Sequence, residues 1–292
     1  MKRQDMSRSG TFIELKNADC PDALVWVRFL GTGRKVVLLH GWLHSGLSWN
    51  EVADRLQKNY RIIIPDFPGF GRSRPIDVNR ITLEGYTDIL TLLFDYLFDN
   101  EKPYGIVGHS MAGLLLLRLF QRNREYLPNK LVFSSVPVQG VPFLRPFACF
   151  PVIPGSLLSF NRKLPRSLSH RLMKIAARMT VKDVGTVDPA LLDNIRSADP
   201  ATSALLLKEI TCSNVSTDEY TFNDTEMMLT RGQYDRFPDR NAAQQFVDKT
   251  SGSYYEFHGV RHTPMIECPD EFSAVITEFL SADTDDNNAE IS

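Results

Sequence analysis

Short runs of β-branched and apolar residues alternate along the chain with longer segments in which apolar side chains recur every three or four positions. That alternation predicts a mostly parallel central sheet with helices on both faces. Strands are expected at 36–40, 61–65, 104–107, 131–134, 227–230 and 254–257. Segments 11–16 and 23–30 alternate more between apolar and polar and lie next to each other, so they predict an antiparallel hairpin at one edge. Near the end, Phe272, Val275, Ile276, Phe279 and Leu280 keep the spacing of a helix buried on one side, with Pro269 and Asp270 suited to its first turn. One region breaks the alternation. Between the strand ending near Ser135 and the one beginning near Met227, helical segments and prolines follow one another without a strand. The pattern therefore predicts a core of 11–136 and 206–280, a helical cap over 137–205, a flexible stretch at 1–10 and a disordered acidic tail at 281–292.

At 292 residues and 43% hydrophobic, the chain can bury a large core. A net charge of −2 gives no reason to expect a nucleic-acid partner. The charge is unevenly placed, however: 137–205 holds nine Lys or Arg and four Asp, a net of +5, against −7 for the remainder. From Leu168 onward, Leu168, Leu172, Ile175, Ala176 and Met179 mark an apolar stripe, and Arg171, Lys174, Arg178 and Lys182 follow the opposite side. A solvated charged face, a receiver for an anionic substrate and peripheral contact with a lipid surface all fit this pattern. The apolar run 141–160 is cut by Pro142, Pro146, Pro151 and Pro154, which excludes a membrane-spanning helix there. Cys20, Cys149, Cys212 and Cys268 are scattered without zinc or dithiol spacing, and no apolar run follows Lys2, Arg3 and Arg8. Both features make the cytoplasm the expected location.

Chemistry concentrates where strands end. The strand at 104–107 runs through Gly108-His109-Ser110-Met111-Ala112-Gly113 into the helical 114–120. A serine on such a sharp strand-to-helix turn has its hydroxyl pushed out of the sheet. It needs a base, and the base needs an acid to hold its tautomer. Asp235 follows the strand at 227–230, and His262 follows the strand at 254–257. Both lie just past the carboxyl ends of strands, where open parallel sheets place their sites. His40-Gly41-Trp42-Leu43-His44-Ser45 likewise ends the strand at 36–40. Gly31-Thr32-Gly33 precedes a strand, and Gly69-Phe70-Gly71 lacks a third glycine and a helix start, so neither supports a nucleotide cofactor. His258 and His262 straddle a strand end and make no helical zinc pair, and no metal is expected.

These motifs, with Pro65-Asp66-Phe67-Pro68-Gly69-Phe70-Gly71-Arg72-Ser73, resemble the α/β-hydrolase family, its serine hydrolase branch in particular, over roughly 34–280 outside the cap. One departure is Ala112, where the usual pattern has glycine. The resemblance implies Ser110 as nucleophile, His262 as base, Asp235 as orienting acid and the N–H groups of Trp42 and Met111 as oxyanion donors. His44 and His109 are candidates to line the substrate pocket. The implied activity is carboxylic ester hydrolysis through an acyl-serine, on an apolar or medium-chain acyl group carried by a small molecule or an acidic carrier protein. Lactone, thioester or carbon–carbon bond hydrolysis would use the same residues. A lyase, a cofactor-free oxygenase or a ligand-binding receptor would use the same fold.

Overall fold

The computed structural model describes residues 10–17, 20–99, 101–141, 144–148, 152–185, 187–213, 222 and 225–282. The expectations for 1–9 and for 283–292 lie outside the described residues.

Eight strands form one sheet: β1 (Gly10–Asn17), β2 (Cys20–Leu30), β3 (Lys35–Leu39), β4 (Arg61–Pro65), β5 (Gly105–His109), β6 (Lys130–Ser134), β7 (Glu226–Gly232) and β8 (Ser253–Phe257). Their order is β1-β2-β4-β3-β5-β6-β7-β8. The hairpin β1–β2 and the pair β2–β4 are antiparallel, and every later pairing is parallel. The central strands β5 and β6 are buried at every position, as a parallel strand covered on both faces must be.

One face of the sheet is covered by α2 (Leu83–Phe98), α3 (Met111–Arg122) and α9 (Arg240–Thr250), whose apolar residues pack with Val37, Ile106 and Phe133. The other is covered by α1 (Asn50–Leu56), α10 (Pro264–Glu267) and α11 (Pro269–Ser281), around Trp49, Val107 and Phe272. Thr82 starts α2 by accepting a hydrogen bond from the Gly85 N–H through its side chain, 3.0 Å.

Between β6 and β7 lie α4 (Arg145–Ala148), α5 (Val152–Lys163), α6 (Arg166–Ala177), α7 (Pro189–Ser197) and α8 (Pro200–Cys212). The inserted helical part runs past the expected boundary at 205, because α8 is a single helix begun by Asp199, whose carboxylate accepts from the Thr202 N–H. Among the described residues no helix is long and apolar enough to cross a membrane.

The winding of the sheet reverses between β3 and β5: β4 lies beyond β3 on one side, β6 beyond β5 on the other. Loops leaving the carboxyl ends of these two neighbours diverge, and a crevice opens between them. The β3 loop carries Gly41 and Trp42, and the β5 loop carries Ser110.

Candidate active site

Ser110 occupies the single residue between β5 and α3, with φ 53° and ψ −115°. A side chain rarely tolerates this left-handed backbone, and its strain persists only where neighbours impose it. Here the Ser110 N–H is tied to the Ser134 carbonyl at 2.9 Å, and its own carbonyl accepts from the Gly113 N–H, also at 2.9 Å. Tight packing in the turn falls on Gly113, where a Cβ would stand 2.2 Å from a Val136 methyl. Ala112, the departure from the usual pattern, is fully buried in the apolar core, so its methyl group is accommodated.

The three residues expected to work together meet. His262 Nε2 is 3.1 Å from Ser110 Oγ, and His262 Nδ1 lies 2.9 and 3.1 Å from the two carboxylate oxygens of Asp235. All three are buried. The Asp235 carboxylate also accepts from the Phe237 N–H at 2.9 Å, and the Phe237 ring packs 4.5 Å from the imidazole. Those contacts shield the pair from water and fix the ring that faces the serine.

The loop after β3 passes close to this line. At Gly41 a Cβ would stand 2.7 Å from His109 Nδ1 and 3.1 Å from Ser110 Cβ, so any side chain there would push the loop away. Among the described residues neither the Trp42 N–H nor the Met111 N–H has an acceptor. Free N–H groups of this kind, one at the start of a helix, attract developing negative charge. His40 is buried beneath them: its Nδ1–H donates to the Gly41 carbonyl and its Nε2 accepts from the Phe67 N–H, both at 2.8 Å. The Pro65–Ser73 turn braces the same loop, with Asp66 accepting from the N–H groups of Gly46 and Arg72 at 2.6 and 2.8 Å.

His109 is buried, and its Nε2–H donates to the His262 carbonyl at 2.9 Å. Its ring is thus a strut under the histidine loop and not an exposed pocket wall, a correction to the sequence expectation. His44 is half-buried, hydrogen-bonded through Nδ1 to Ser48 Oγ at 2.7 Å, and lines a cavity of about 30 Å³ with Leu43, Ala177, Val181 and Leu192. Burial pushes the His40 and His109 imidazoles down from their ordinary range. His44 is pushed down to about 3, first by burial and then by the positive charge that His40 and His262 would carry. These rings stay neutral in the fold under conditions where an unfolded chain protonates them. Stability is therefore expected to fall as the pH drops below about 6.5. For His44 the loss continues down to about 3. In a His44→Asn variant the slope of unfolding free energy against pH, measured with urea between about pH 5 and 6, should lessen by about 1 kcal/mol per pH unit.

Several supporting residues had no signal in the sequence. Arg231, buried at the end of β7, donates to Glu256 at 2.6 Å and to the Asp235 carbonyl at 2.8 Å. It fixes the loop that carries the acid. Arg240 also reaches Glu256, at 3.3 Å, so losing Arg231 leaves that carboxylate one cation and takes the donor from the Asp235 carbonyl. Arg231→Leu is therefore expected to cost about 1 to 3 kcal/mol in urea unfolding and to loosen Asp235. A loss well under 1 kcal/mol would remove the pair from this role. Glu267 accepts from the N–H groups of Lys182 and Arg261 at 2.7 and 3.0 Å, while burial raises its carboxyl above the usual range. The segment between β6 and β7 holds the site directly as well: the His262 N–H donates to the Thr180 carbonyl at 2.9 Å, and the Trp42 indole donates to the Ser203 carbonyl at 2.8 Å.

The expected apolar stripe on α6 is turned the other way. Leu168, Leu172, Ile175, Ala176 and Met179 are exposed, and the buried side carries Ser169 and Met173. Arg171, Arg178 and Lys182 are exposed and Lys174 is half-buried, so the basic residues flank an outward apolar stripe instead of opposing an inward one. Met173 packs inward with Val181, Val187 and Leu192, and Asp193 on α7 binds both Arg166 and His170, the latter at 2.7 Å.

Residues 36–275 match the profile of the Alpha/beta hydrolase family. Among curated proteins, the pimeloyl acyl-carrier-protein methyl ester esterase of Proteus mirabilis is 27% identical over 269 residues, covering 89% of this chain and 97% of that one. A shorter stretch of 87 residues is 38% identical to the magnesium-chelatase 30 kDa subunit of Rhodobacter capsulatus, and here the match spans only 30% of each protein. Among solved structures, a thermophilic esterase from Thermogutta terrifontis superposes with a TM-score of 0.74 at 20% identity, covering 93% of this chain and 98% of that one, a likeness of fold.

Proposed function

We propose, from the premise that this chain belongs to the Alpha/beta hydrolase family, that it cleaves carboxylic esters through an acyl-Ser110 intermediate. The observation that carries this reading is the unbroken line from the Asp235 carboxylate through His262 to Ser110 Oγ, at 2.9 and 3.1 Å. Ser110 Oγ attacks the ester carbonyl carbon as His262 Nε2 takes its proton. The C–O π electrons move to the carbonyl oxygen, which the N–H groups of Trp42 and Met111 receive. The oxygen's lone pair then reforms the C=O bond and expels the alcohol, which takes the proton from His262. Water, deprotonated by the same ring, repeats the sequence on the acyl-enzyme and frees the acid and Ser110. Asp235 holds the proton of neutral His262 on Nδ1 and stabilises the imidazolium formed in each half.

The side chains beside His44 are mostly apolar, in keeping with an apolar or medium-chain acyl group. The cavity there, about 30 Å³, has room for water but not for such a chain, since ligand pockets run to several hundred Å³. The name of the Proteus mirabilis relative supports an ester whose acyl part rides on a carrier protein. A lactone, a thioester or an activated carbon–carbon bond meets the same groups.

The test is a series of p-nitrophenyl esters of increasing acyl length, with one lactone and one acyl thioester, on wild type and Ser110→Ala. Serine-dependent turnover that peaks at medium chain length is the expected result. No turnover of any ester by folded protein would favour a lyase, a cofactor-free oxygenase or a binding protein.

A further inference from the structure

The outer surface of the cap has a composition that ester chemistry at Ser110 does not require. From Tyr126 to Lys182 the chain contains no Asp or Glu and nine Lys or Arg. On and just after α6, Leu168, Leu172, Ile175 and Met179 are 43%, 45%, 59% and 50% exposed. Leu168, Leu172 and Ile175 share one edge of α6, and exposed Met179 stands in the turn that follows it. Along its flank, the side chains of Arg171, Lys174 and Arg178 form no ion pair with a carboxylate among the described residues, and the Lys182 ammonium lies 5.5 Å from the Tyr234 ring. The preceding α5, which like α6 rests on α7, exposes Leu157 and Phe160 and ends in Arg162 and Lys163. Leaving this much aliphatic surface in water forgoes transfer free energy, and contiguous apolar patches of this kind mark interaction sites.

We propose that this face of α6, together with the exposed end of α5, docks on an anionic lipid surface. An aliphatic stripe bordered by Lys and Arg and free of acids is the composition of a helix lying in a membrane interface. Protein-binding hot spots favour Trp, Tyr and Arg anchors seated in shaped pockets, and the apolar residues of this stripe, Leu168, Leu172, Ile175 and Met179, include no aromatic anchor. Its charge complements anionic headgroups, which attract basic residues held near them. The stripe also leads toward the reactive groups. Arg178 and Met179 line a cavity of about 440 Å³ together with Phe237, and the Phe237 ring packs 4.5 Å from that of His262. Docking would thus bring lipid-borne acyl chains to the edge of the site. The proposal goes beyond ester hydrolysis and does not depend on it, because binding is measured on protein without the nucleophile.

Full-length Ser110→Ala protein is sedimented with vesicles of phosphatidylcholine alone or of phosphatidylcholine mixed with phosphatidylglycerol. Binding to the mixed vesicles only, weakening as salt is raised, is the expected result. Adding Arg171→Gln, Lys174→Gln and Arg178→Gln should lower the partition coefficient by roughly 100-fold, at about fivefold for each charge. Adding Leu172→Ser and Ile175→Ser in place of these should abolish binding even though every charge remains. Four of the five positions lie on α6 and Arg178 directly follows it, and unchanged thermal melting would show that the variants stay folded. Absence of binding, equal binding to both vesicle types, or binding that either variant retains would overturn the proposal. Retention of an acidic carrier protein by the same residues, without vesicle binding, would make this a protein-docking face and overturn it too.

Discussion

Replacing Ser110 with alanine is expected to lower kcat on a p-nitrophenyl ester by about 10⁶, the largest single effect in the molecule. Only Ser110 supplies an oxygen to the carbonyl carbon in the proposed reaction, and His262 and Asp235 serve that oxygen. With it gone, what remains is binding and the two N–H donors, which together keep a residual acceleration of about 10³ to 10⁴ over water. The substitution removes one hydroxyl from a turn whose shape is imposed by the Ser134 carbonyl and the Gly113 N–H. Thermal unfolding should therefore change little while turnover collapses. A kcat within tenfold of wild type would remove Ser110 from the reaction.

The second large effect belongs to Asp235. Asp235→Asn keeps the volume of the side chain and retains the oxygen that accepts from the Phe237 N–H at 2.9 Å. What changes is charge. An amide no longer stabilises the imidazolium, and its NH₂ group, if it faces Nδ1, forces the His262 proton onto Nε2, the atom that must accept the serine proton. A fall of about 10⁴ in kcat at neutral pH is expected. Equal kinetics in wild type and variant would mean that another group orients His262.

Much of this fold and site could be read from the chain because the physics involved is local. Strands such as β5 and β6 are buried on both faces, so they show as unbroken apolar runs, and observed bounds differ from expectation by a residue or two. Ser110 and Asp235 follow such runs and His262 follows the half-buried β8; each is weak alone, and their order past three strand ends together with the family resemblance singles them out. The groups that hold them were not legible. Arg231 looks like an ordinary charge until β8 brings Glu256 alongside it, and the Thr180 carbonyl carries no side-chain signal at all.

The stripe on α6 shows the limit most clearly. Its periodicity correctly predicts an amphipathic helix, but periodicity says nothing about which edge faces the protein. On the inward edge Met173 joins Val181, Val187 and Leu192 in a small apolar cluster, and Asp193 on α7 binds Arg166 and His170 beside it. His109 follows the same lesson. Its place beside Ser110 suggested contact with substrate, whereas the carbonyl of His262, far along the chain, takes its only ring N–H.

The account rests on a serine made nucleophilic by its neighbours, and covalent capture tests this most directly. Full-length protein treated with a fluorophosphonate and examined by intact and peptide mass spectrometry should gain a single adduct, on Ser110, which is lost in Ser110→Ala and strongly slowed in His262→Asn. Folded protein that gains no adduct, or gains it on another residue with Ser110 left free, would contradict the account.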